Sequence, residues 1–245
     1  MIADVLTVAR KEWKEIFSPG GSVRGGRVSL AILLGMFGVF MPWQYGRDWI
    51  DSPDTLLYWG WMPLMIVSGA VADSFAGERE RHTLETLLAS RLPDEAILFG
   101  KILAAVAYAW GMVMGMLALG LVTVNVTART DGPVLYSWTM VVAAPLLSLA
   151  GACVAAGAGV LVSLRAQTVR QAAQTLNIAV LLLVFVPVLA LQALPAGSRA
   201  SLAAWGKRVG ASGILGAAVL ALATLAIVLI GAARVRFRRA RLILD

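Results

Sequence analysis

Residues 78–101 read ERERHTLETLLASRLPDEAILFGK and hold nine of the 35 charged residues in an otherwise apolar chain. Uncharged stretches flank this segment on both sides, at residues 55–72 and 102–128. Only 14% of the 245 residues are charged and 59% are hydrophobic, whereas soluble chains average about 25% charged residues. Uncharged runs of this length are typical of helices that cross a bilayer, so the composition predicts a membrane protein.

Charges delimit the predicted spans, because a charge at the bilayer centre costs roughly 2.5 to 3.5 kcal/mol. Six uncharged windows are long enough for the ~20 residues that a helix needs to cross about 30 Å of hydrocarbon. The predicted transmembrane helices are 28–46, 55–75, 100–126, 134–163, 174–193 and 211–233. The predicted fold class is therefore an all-α integral membrane protein with six transmembrane helices in one domain, residues 1–245.

The distribution of basic residues predicts the orientation, since Lys and Arg stay on the cytoplasmic side. One set of helix ends carries 16 Lys and Arg residues and the opposite set carries five. Both termini are therefore expected to be cytoplasmic. Six of the eight tryptophans lie near the predicted outer ends, as in an aromatic belt; they are Trp43, Trp49, Trp59, Trp61, Trp138 and Trp205.

Residues 1–18 show the helical spacing of an amphipathic helix that lies flat in the inner membrane interface. Trp13 and Phe17 are expected in the acyl boundary, with Lys11 and Lys14 directed toward lipid headgroups. The alternative is a helix packed on a cytosolic domain. At the other face, residues 194–210 are predicted to form a re-entrant or surface helix, with a solvated loop as the alternative.

The charged segment itself has a helical stripe, because Leu84, Leu87, Leu88 and Leu92 recur at intervals of three and four residues. Pro93 ends this element. Mixed charges on a rigid projection favour a protein partner, since complementary charge fixes register and orientation. The alternative is a solvated loop with internal ion pairs worth about 0 to 1 kcal/mol each.

The run ERE, TLE, LL, then Pro93, an acidic residue and GK resembles the cytoplasmic signature of type-2 ABC exporter permeases. The resemblance extends to the N-terminal helix with its KEW motif, the six spans and the long final outer loop. His82 stands where that family usually has Gly, so this position makes a different cap or contact. A hydrogen-bonding role at the surface is favoured for His82 over pH sensing.

The resemblance implies that residues 77–93 form a cytoplasmic coupling helix, which docks into a groove on a separate ATPase subunit. The residues that match the pattern and are expected to couple are Glu78, Arg79, Glu80, Arg81, Thr83, Glu85, Leu87 and Leu88. The implied partners are two ABC ATPases, a second permease that is identical or homologous, and membrane lipid. ATP and Mg²⁺ would be bound by the ATPases, in a prokaryotic inner membrane. A weaker contact with the ATPase is expected from the inner loop 165–177.

Several other function classes are excluded by what the sequence lacks. Neither Gly100-Lys101 nor Gly206-Lys207 belongs to the GxxxxGK[ST] loop that cradles phosphate, so no nucleotide hydrolysis and no cofactor are expected in this chain. No catalytic or metal site is predicted. The uncharged windows lack the ionisable groups of ion-coupled carriers. The basic residues 234–241 are expected to touch anionic lipid and not nucleic acid.

The predicted function is therefore an ATP-driven exporter of an apolar or amphipathic compound such as a drug, lipid or peptide, working as a dimer of permeases. Its substrate-binding residues are not assigned. The alternative is a non-transporting anchor or sensor that docks a cytosolic partner through residues 78–92. Small residues at Gly111, Gly115 and 151–159 predict close helix packing, within one subunit in preference to a dimer seam.

Overall fold

The computed structural model describes residues 1–17, 26–52, 54–80, 91–127 and 132–237. Every regular element in these ranges is helical and none of them contains a strand, which confirms the predicted all-α class. The helices are α1 (Ile2–Phe17), α2 (Gly26–Gly35), α3 (Met41–Tyr45), α4 (Asp48–Asp51), α5 (Thr55–Glu80), α6 (Asp94–Thr127), α7 (Trp138–Ser163), α8 (Val169–Ala193) and α9 (Ala196–Arg236).

Five helices of the described chain are long and apolar enough to cross a membrane: α5, α6, α7, α8 and the part Ala204–Arg236 of α9. A shorter apolar stretch, Leu30–Tyr45, stands where the first of the six spans was predicted. Length and composition therefore support five spans among the described helices, one fewer than the sequence predicted. The chain is a multi-pass membrane protein.

The stretch at the first predicted span is not one regular α-helix, because a π-helical turn, Met36–Phe40, joins α2 to α3. Such turns leave backbone groups without their usual partners. Here the Thr123 hydroxyl of α6 donates to the Gly38 carbonyl at 2.9 Å. A Cβ at Gly38 would lie 3.0 Å from the Cβ of Leu119, so the glycine lets this stretch approach α6 closely.

The centre of the bundle is α7, which packs on α5 and α9 and also contacts α6 and α8. Glycines bring these helices together, since a Cβ at Gly151 would lie 2.8 Å from the Gly60 carbonyl of α5. One at Gly159 would lie 2.8 Å from Val71. The close packing within the subunit that was predicted for residues 151–159 is thus confirmed. At Gly111 and Gly115 an added Cβ would meet nothing within 4 Å in the described chain, so the packing predicted there stays a prediction.

Two of the tryptophans assigned to an aromatic belt are instead core residues. Trp49 and Trp59 are 1% and 0% exposed, and their rings meet edge to face at 5.8 Å. Tyr58 stacks on Trp49 at 5.6 Å and also contacts Phe37 at 5.8 Å. The short helix α4 folds Trp49 back against the start of α5, where large aromatic surfaces gain from burial. These four residues define the aromatic end of the bundle.

The last two helices are the most exposed part of the fold. Apolar side chains of α8 such as Leu182 and Phe185 are 57% and 55% exposed. Within α9, Gly210 has φ 74° and ψ 163°, a conformation that L-residues rarely adopt. It separates residues 196–209, in the segment predicted as an outer helix, from the apolar stretch that follows.

Candidate functional site

A buried lysine lies at the end of the bundle opposite the aromatic end. Lys101 of α6 is 1% exposed. Its ammonium nitrogen lies 3.0 Å from Glu12 Oε1 of α1 and 2.9 Å from Glu78 Oε1 of α5. It also donates to the Ser74 carbonyl at 2.8 Å. A buried ammonium group is tolerated when it is paired and its donors are used, so Lys101 joins three helices by charge.

Glu12 is the second buried charge of this group, at 5% exposed. Its Oε2 accepts a hydrogen bond from the Ser74 hydroxyl at 2.7 Å, while Oε1 faces Lys101. Burial acts to raise the pKa of Glu12, but Lys101 and the Ser74 hydrogen bond outweigh it and lower the pKa below its usual range. Glu12 is therefore a carboxylate at neutral pH.

Lys11 closes the group on the solvent side. Its ammonium lies 3.2 Å from Glu78 Oε1, 3.4 Å from Glu12 Oε1 and 3.3 Å from Glu15 Oε1. Burial acts to lower the pKa of Lys11, but Glu12, Glu78 and Glu15 together raise it to about 12. Lys11, Glu12, Ser74, Glu78 and Lys101 are called the Lys101 cluster below.

The local sequence explains why α1 comes close enough to α6 to form the cluster. A Cβ at Gly100 would lie 2.6 Å from Val8 Cβ and 2.9 Å from the Val5 carbonyl, so only glycine permits this contact. Val8 is 3% exposed. Glu12 follows it by four residues and so lies on the same face of α1. The helix buries an apolar residue and a carboxylate side by side.

The end of α5 is also fixed to the start of α8. The Glu80 carboxylate accepts a hydrogen bond from the Val169 amide at 3.1 Å. Arg79 Nη1 donates to the Ala166 carbonyl at 3.4 Å. A carboxylate at a helix N-terminus satisfies an unpaired amide and favours the helix dipole. Movement of residues 79–80 would therefore act on α5 and α8 together.

The C-terminal end of α9 meets the same end of the bundle. Arg234 contacts Glu95 of α6 through two nitrogens, at 2.6 and 3.0 Å from Oε1. Phe237 packs edge to face on Phe75, with ring centroids 5.8 Å apart. Phe75 also lies under the Lys101 ammonium at 5.3 Å. Thus α1, α5, α6, α8 and α9 are linked by polar and aromatic contacts at this end.

The predicted coupling residues fall into two groups. Glu78, Arg79 and Glu80 are described, and α5 extends through them, so the first residues of the predicted segment 77–93 continue that helix. The other coupling residues and His82 lie outside the described residues: Arg81, Thr83, Glu85, Leu87 and Leu88. The inner loop expected at 165–177 is shorter than predicted, because α8 already begins at Val169.

The predicted membrane-interface residues behave differently from one another. Trp13 is 41% exposed and Lys14 is exposed, which leaves both accessible to lipid. Lys11, expected to face headgroups, instead contacts Glu78, since the fold brings α5 beside α1. The side chain of Phe17 lies outside the described part.

Sequence reasoning missed Glu12, Ser74 and Lys101 as parts of one site. One signal was present, because Glu12 interrupts the apolar stripe that runs from Val5 to Ile16. Lys101 was read as the point where a helix enters lipid. Lys101 is buried and pairs with the carboxylates of Glu12 and Glu78. Glu12 lies 89 residues away in the sequence, so the local pattern could not predict this pair.

The fold and this site define a multi-pass helical membrane protein whose helices are joined by buried charges at one end. A sequence model of the family described as ABC-2 family transporter protein matches residues 61–203, more than half of the chain. The chain therefore belongs to the ABC-2 transporter family and is a membrane subunit of an ABC transporter. Membership implies association with an ABC ATPase subunit. No curated protein sequence matches the chain significantly.

Proposed function

We propose that this chain is the permease subunit of an ATP-driven exporter of an apolar or amphipathic compound. In this proposal two cytosolic ATPases bind ATP and Mg²⁺ and dock on the segment 78–92 of two permeases, where Glu78 is buried and transmits force without touching the ATPase. The stretch Leu30–Tyr45 completes six spans per permease, and twelve spans form the pathway in a prokaryotic inner membrane. Both termini then lie in the cytoplasm, and the chain itself performs no catalysis.

The observation that carries the proposal is the Lys101 cluster. It lies at the C-terminal end of α5, just before the rest of the charged segment in the sequence, and it binds α5 through Glu78 to both α1 and α6. Separating these buried partners would leave uncompensated charges, which costs about 3–5 kcal/mol. The cluster therefore supports transmission of force, because a push on residues 78–92 moves three helices as one unit.

The contacts of Arg79 and Glu80 support the same mechanism. They connect the end of α5 to the turn before α8, so a displacement of the coupling segment would shift the second and fifth spans together. ATP binding would close the two ATPases, move residues 78–92 and tilt the first, second and fifth spans. A cavity open to one side would then open to the other. This is alternating access driven from the cytoplasm.

The exposed apolar side chains of α8 and α9 are consistent with a second permease. Leu182 and Phe185 require an apolar environment, which either lipid or another subunit supplies. A Cβ added at Gly111 or Gly115 would meet nothing within 4 Å among the described residues, so these positions allow a close approach of another helix. Pairing of two permeases is part of the proposal for this reason.

Copurification with a coexpressed ABC ATPase tests the docking. Glu85→Lys is the sharper variant, because Glu80 also holds the start of α8 and its replacement would disturb the fold. Charge reversal at Glu85 should abolish recovery of the ATPase while the chain still inserts in the membrane. Asp48→Lys, at the exposed start of α4 near the aromatic end, is the matched control and should retain the ATPase.

Recovery of an undiminished ATPase complex with Glu85→Lys and with Glu80→Lys would overturn the assignment of the coupling segment. Stable capture of a kinase or regulatory protein in place of an ATPase would favour the anchor or sensor. External labelling of a cysteine placed at position 85 in intact cells would reverse the proposed orientation.

A further inference from the structure

A cavity of about 650 Å³ lies beside the Lys101 cluster and is lined by residues of α1, α2, α5, α6 and α8. Its volume falls within the roughly 300–1,000 Å³ that small-molecule sites occupy. The α5 wall runs from Met65 to Glu78, about 20 Å along the helix axis. A single subunit therefore supplies walls that can enclose a drug-sized compound.

The charged groups of the lining already have partners. Glu12 and Glu78 share the Lys101 ammonium at 3.0 and 2.9 Å. Glu15 is exposed and pairs with a lysine of the same helix at 3.3 Å. Asp73 also has an electrostatic or hydrogen-bond partner. A charged ligand would have to displace these contacts, whereas an uncharged ligand would leave them intact.

Much of the remaining lining is apolar. A Cβ at Gly69 would meet nothing within 4 Å among the described residues, so this position opens the cavity on the α5 side. Burial against apolar walls favours a ligand whose body is itself apolar. The apolar side chains that line the cavity include Leu30, Leu33, Met65, Ile66, Ala104 and Ala105.

A polar side chain of α8 also lines the cavity. Val169, Ala173 and Asn177 do so at intervals of four residues, so they lie on one face of the helix. Asn177 is half-buried, and its side-chain amide makes no hydrogen bond to another residue in the described part of the chain. An amide among apolar groups is destabilised while its donors and acceptor stay unpaired. A ligand with one hydrogen-bonding group would supply the partner.

We propose that this cavity binds an uncharged, largely apolar compound that forms a hydrogen bond with the Asn177 amide. The apolar body of the ligand lies against α2, α5 and α6, and its polar group faces α8. The amide both donates and accepts, so a carbonyl, phosphoryl or hydroxyl group on the ligand is suitable. This inference rests on the proposed transport function and narrows the substrate class to neutral compounds.

Three probes with nearly the same shape and different charge test the selection of a neutral ligand. Triphenylphosphine oxide is neutral with one acceptor oxygen, methyltriphenylphosphonium is a cation and methyltriphenylborate is an anion. Each is offered to the full chain in phosphatidylcholine nanodiscs, and equilibrium dialysis compares binding with that to empty nanodiscs. After subtraction of lipid partitioning, the oxide should bind saturably and roughly tenfold or more tightly than either ion. Equal or tighter binding of either ion would overturn the inference.

Asn177→Leu tests the hydrogen bond, because leucine has a similar volume and lacks the amide. Binding of the oxide should weaken roughly three- to tenfold. Triphenylmethane has no acceptor and should bind as tightly as before or more tightly. Gln174→Leu is the matched control, since it removes an exposed amide of α8 outside the cavity lining and should leave oxide binding unchanged. Undiminished oxide binding in Asn177→Leu, or an equal loss for both probes, would reject the role of Asn177.

Gly69→Leu tests the location of the site by filling the cavity. Both neutral probes should bind roughly fivefold or more weakly, because the added side chain occupies their space. Gly60→Leu is the control, since a Cβ there also meets nothing within 4 Å among the described residues but the position does not line the cavity. Unchanged binding of both probes in Gly69→Leu would place the ligand elsewhere and overturn the assignment.

These measurements use no ATPase, so their outcome is independent of the docking test. Loss of ATPase recovery in Glu85→Lys, together with oxide binding that does not depend on Asn177, would retain the transporter and reject this ligand site. Binding that depends on Asn177 in a chain that recovers no ATPase would retain the site and reject the exporter.

Discussion

The two ends of the bundle are held together by different forces. At the charged end, Lys101 is buried between two carboxylates and a carbonyl from neighbouring helices. At the aromatic end, Trp49 and Trp59 are equally buried, but their contacts are ring against ring. Neither indole N–H has a hydrogen-bond partner in the described part of the chain.

This difference matters for a moving protein. Contacts between aromatic rings add about 0.5 to 1.5 kcal/mol beyond burial, and both edge-to-face and offset-stacked arrangements are favourable. A buried ion pair has specific geometry and leaves costly charges when it separates. The charged end is therefore suited to act as a rigid joint, and the aromatic end can adjust as helices tilt.

The largest expected effect comes from removing the central cation. Lys101→Met removes the buried cation and leaves the partly exposed Lys11 as the remaining cation beside Glu12 and Glu78, so the free energy of unfolding should fall by about 3 kcal/mol, the lower end of the cost of unpairing a buried charge. Denaturant titration in detergent measures this loss. Lys207→Met, at an exposed position, is the control and should be near neutral. A loss in Lys101→Met no greater than in the control would mean that the cluster does not act as a joint.

A smaller loss of unfolding free energy is expected from a variant that separates α1 from α6 and leaves every charged residue in place. Gly100→Ala places a Cβ 2.6 Å from Val8 Cβ, and relief of this overlap should cost about 1–3 kcal/mol. Faster proteolysis within α1 would report the separation. The matched control is Gly111→Ala in the same helix, where a Cβ has open space and should be neutral or slightly stabilising. Equal stability of the two variants would contradict the close contact.

Acid should weaken the charged end and spare the aromatic end. The folded-state pKa of Glu12 is lowered, so its stabilisation is complete above about 4.5 and is lost as pH falls through the lowered pKa. Detachment of α1, followed by a label on Leu6, should begin below that pH. The effect should be smaller than that of Gly100→Ala, because the contact of Val8 with Gly100 does not titrate and continues to hold α1 on α6. Glu12→Gln should flatten the pH dependence, and an unchanged profile would exclude Glu12 as the titrating group.

The smallest effect is expected at the aromatic end. Trp59→Phe keeps an aromatic ring and removes an indole N–H that has no partner among the described residues, so it should cost about 1 kcal/mol or less. The same unfolding titration compares it with Lys101→Met. A loss at Trp59 as large as that at Lys101 would remove the distinction between the two ends.

The fold class and most helices were accessible from sequence because the bilayer imposes a simple rule. Long uncharged windows predicted α5 to α9 in outline, and charge marked where they end. The first predicted span was less regular than expected, since the π turn at Met36–Phe40 depends on contact with α6. The prediction of an aromatic belt was wrong for Trp49 and Trp59, which are buried in the core. A position near a helix end does not determine whether a side chain points toward lipid or into the bundle.

The candidate site was predicted only in part. Glu78, Arg79 and Glu80 were found from their motif, and Lys11 from its place on an amphipathic helix. Their partners Glu12, Ser74 and Lys101 come from separate helices, and the pairing depends on the approach of Val8 to Gly100. A cavity of about 650 Å³ beside the cluster has the same origin, because its walls are drawn from five helices that only packing brings together.

The sequence by itself determined that this chain crosses a membrane repeatedly, and it located the charged segment between two apolar spans. Hydropathy sufficed for this, since lipid excludes charge regardless of which helices become neighbours. Only the tertiary structure decided that the charges of α1, α5 and α6 meet in one buried cluster. Ion pairing acts over a few ångströms, and only folding brings residues that are distant in sequence within that range.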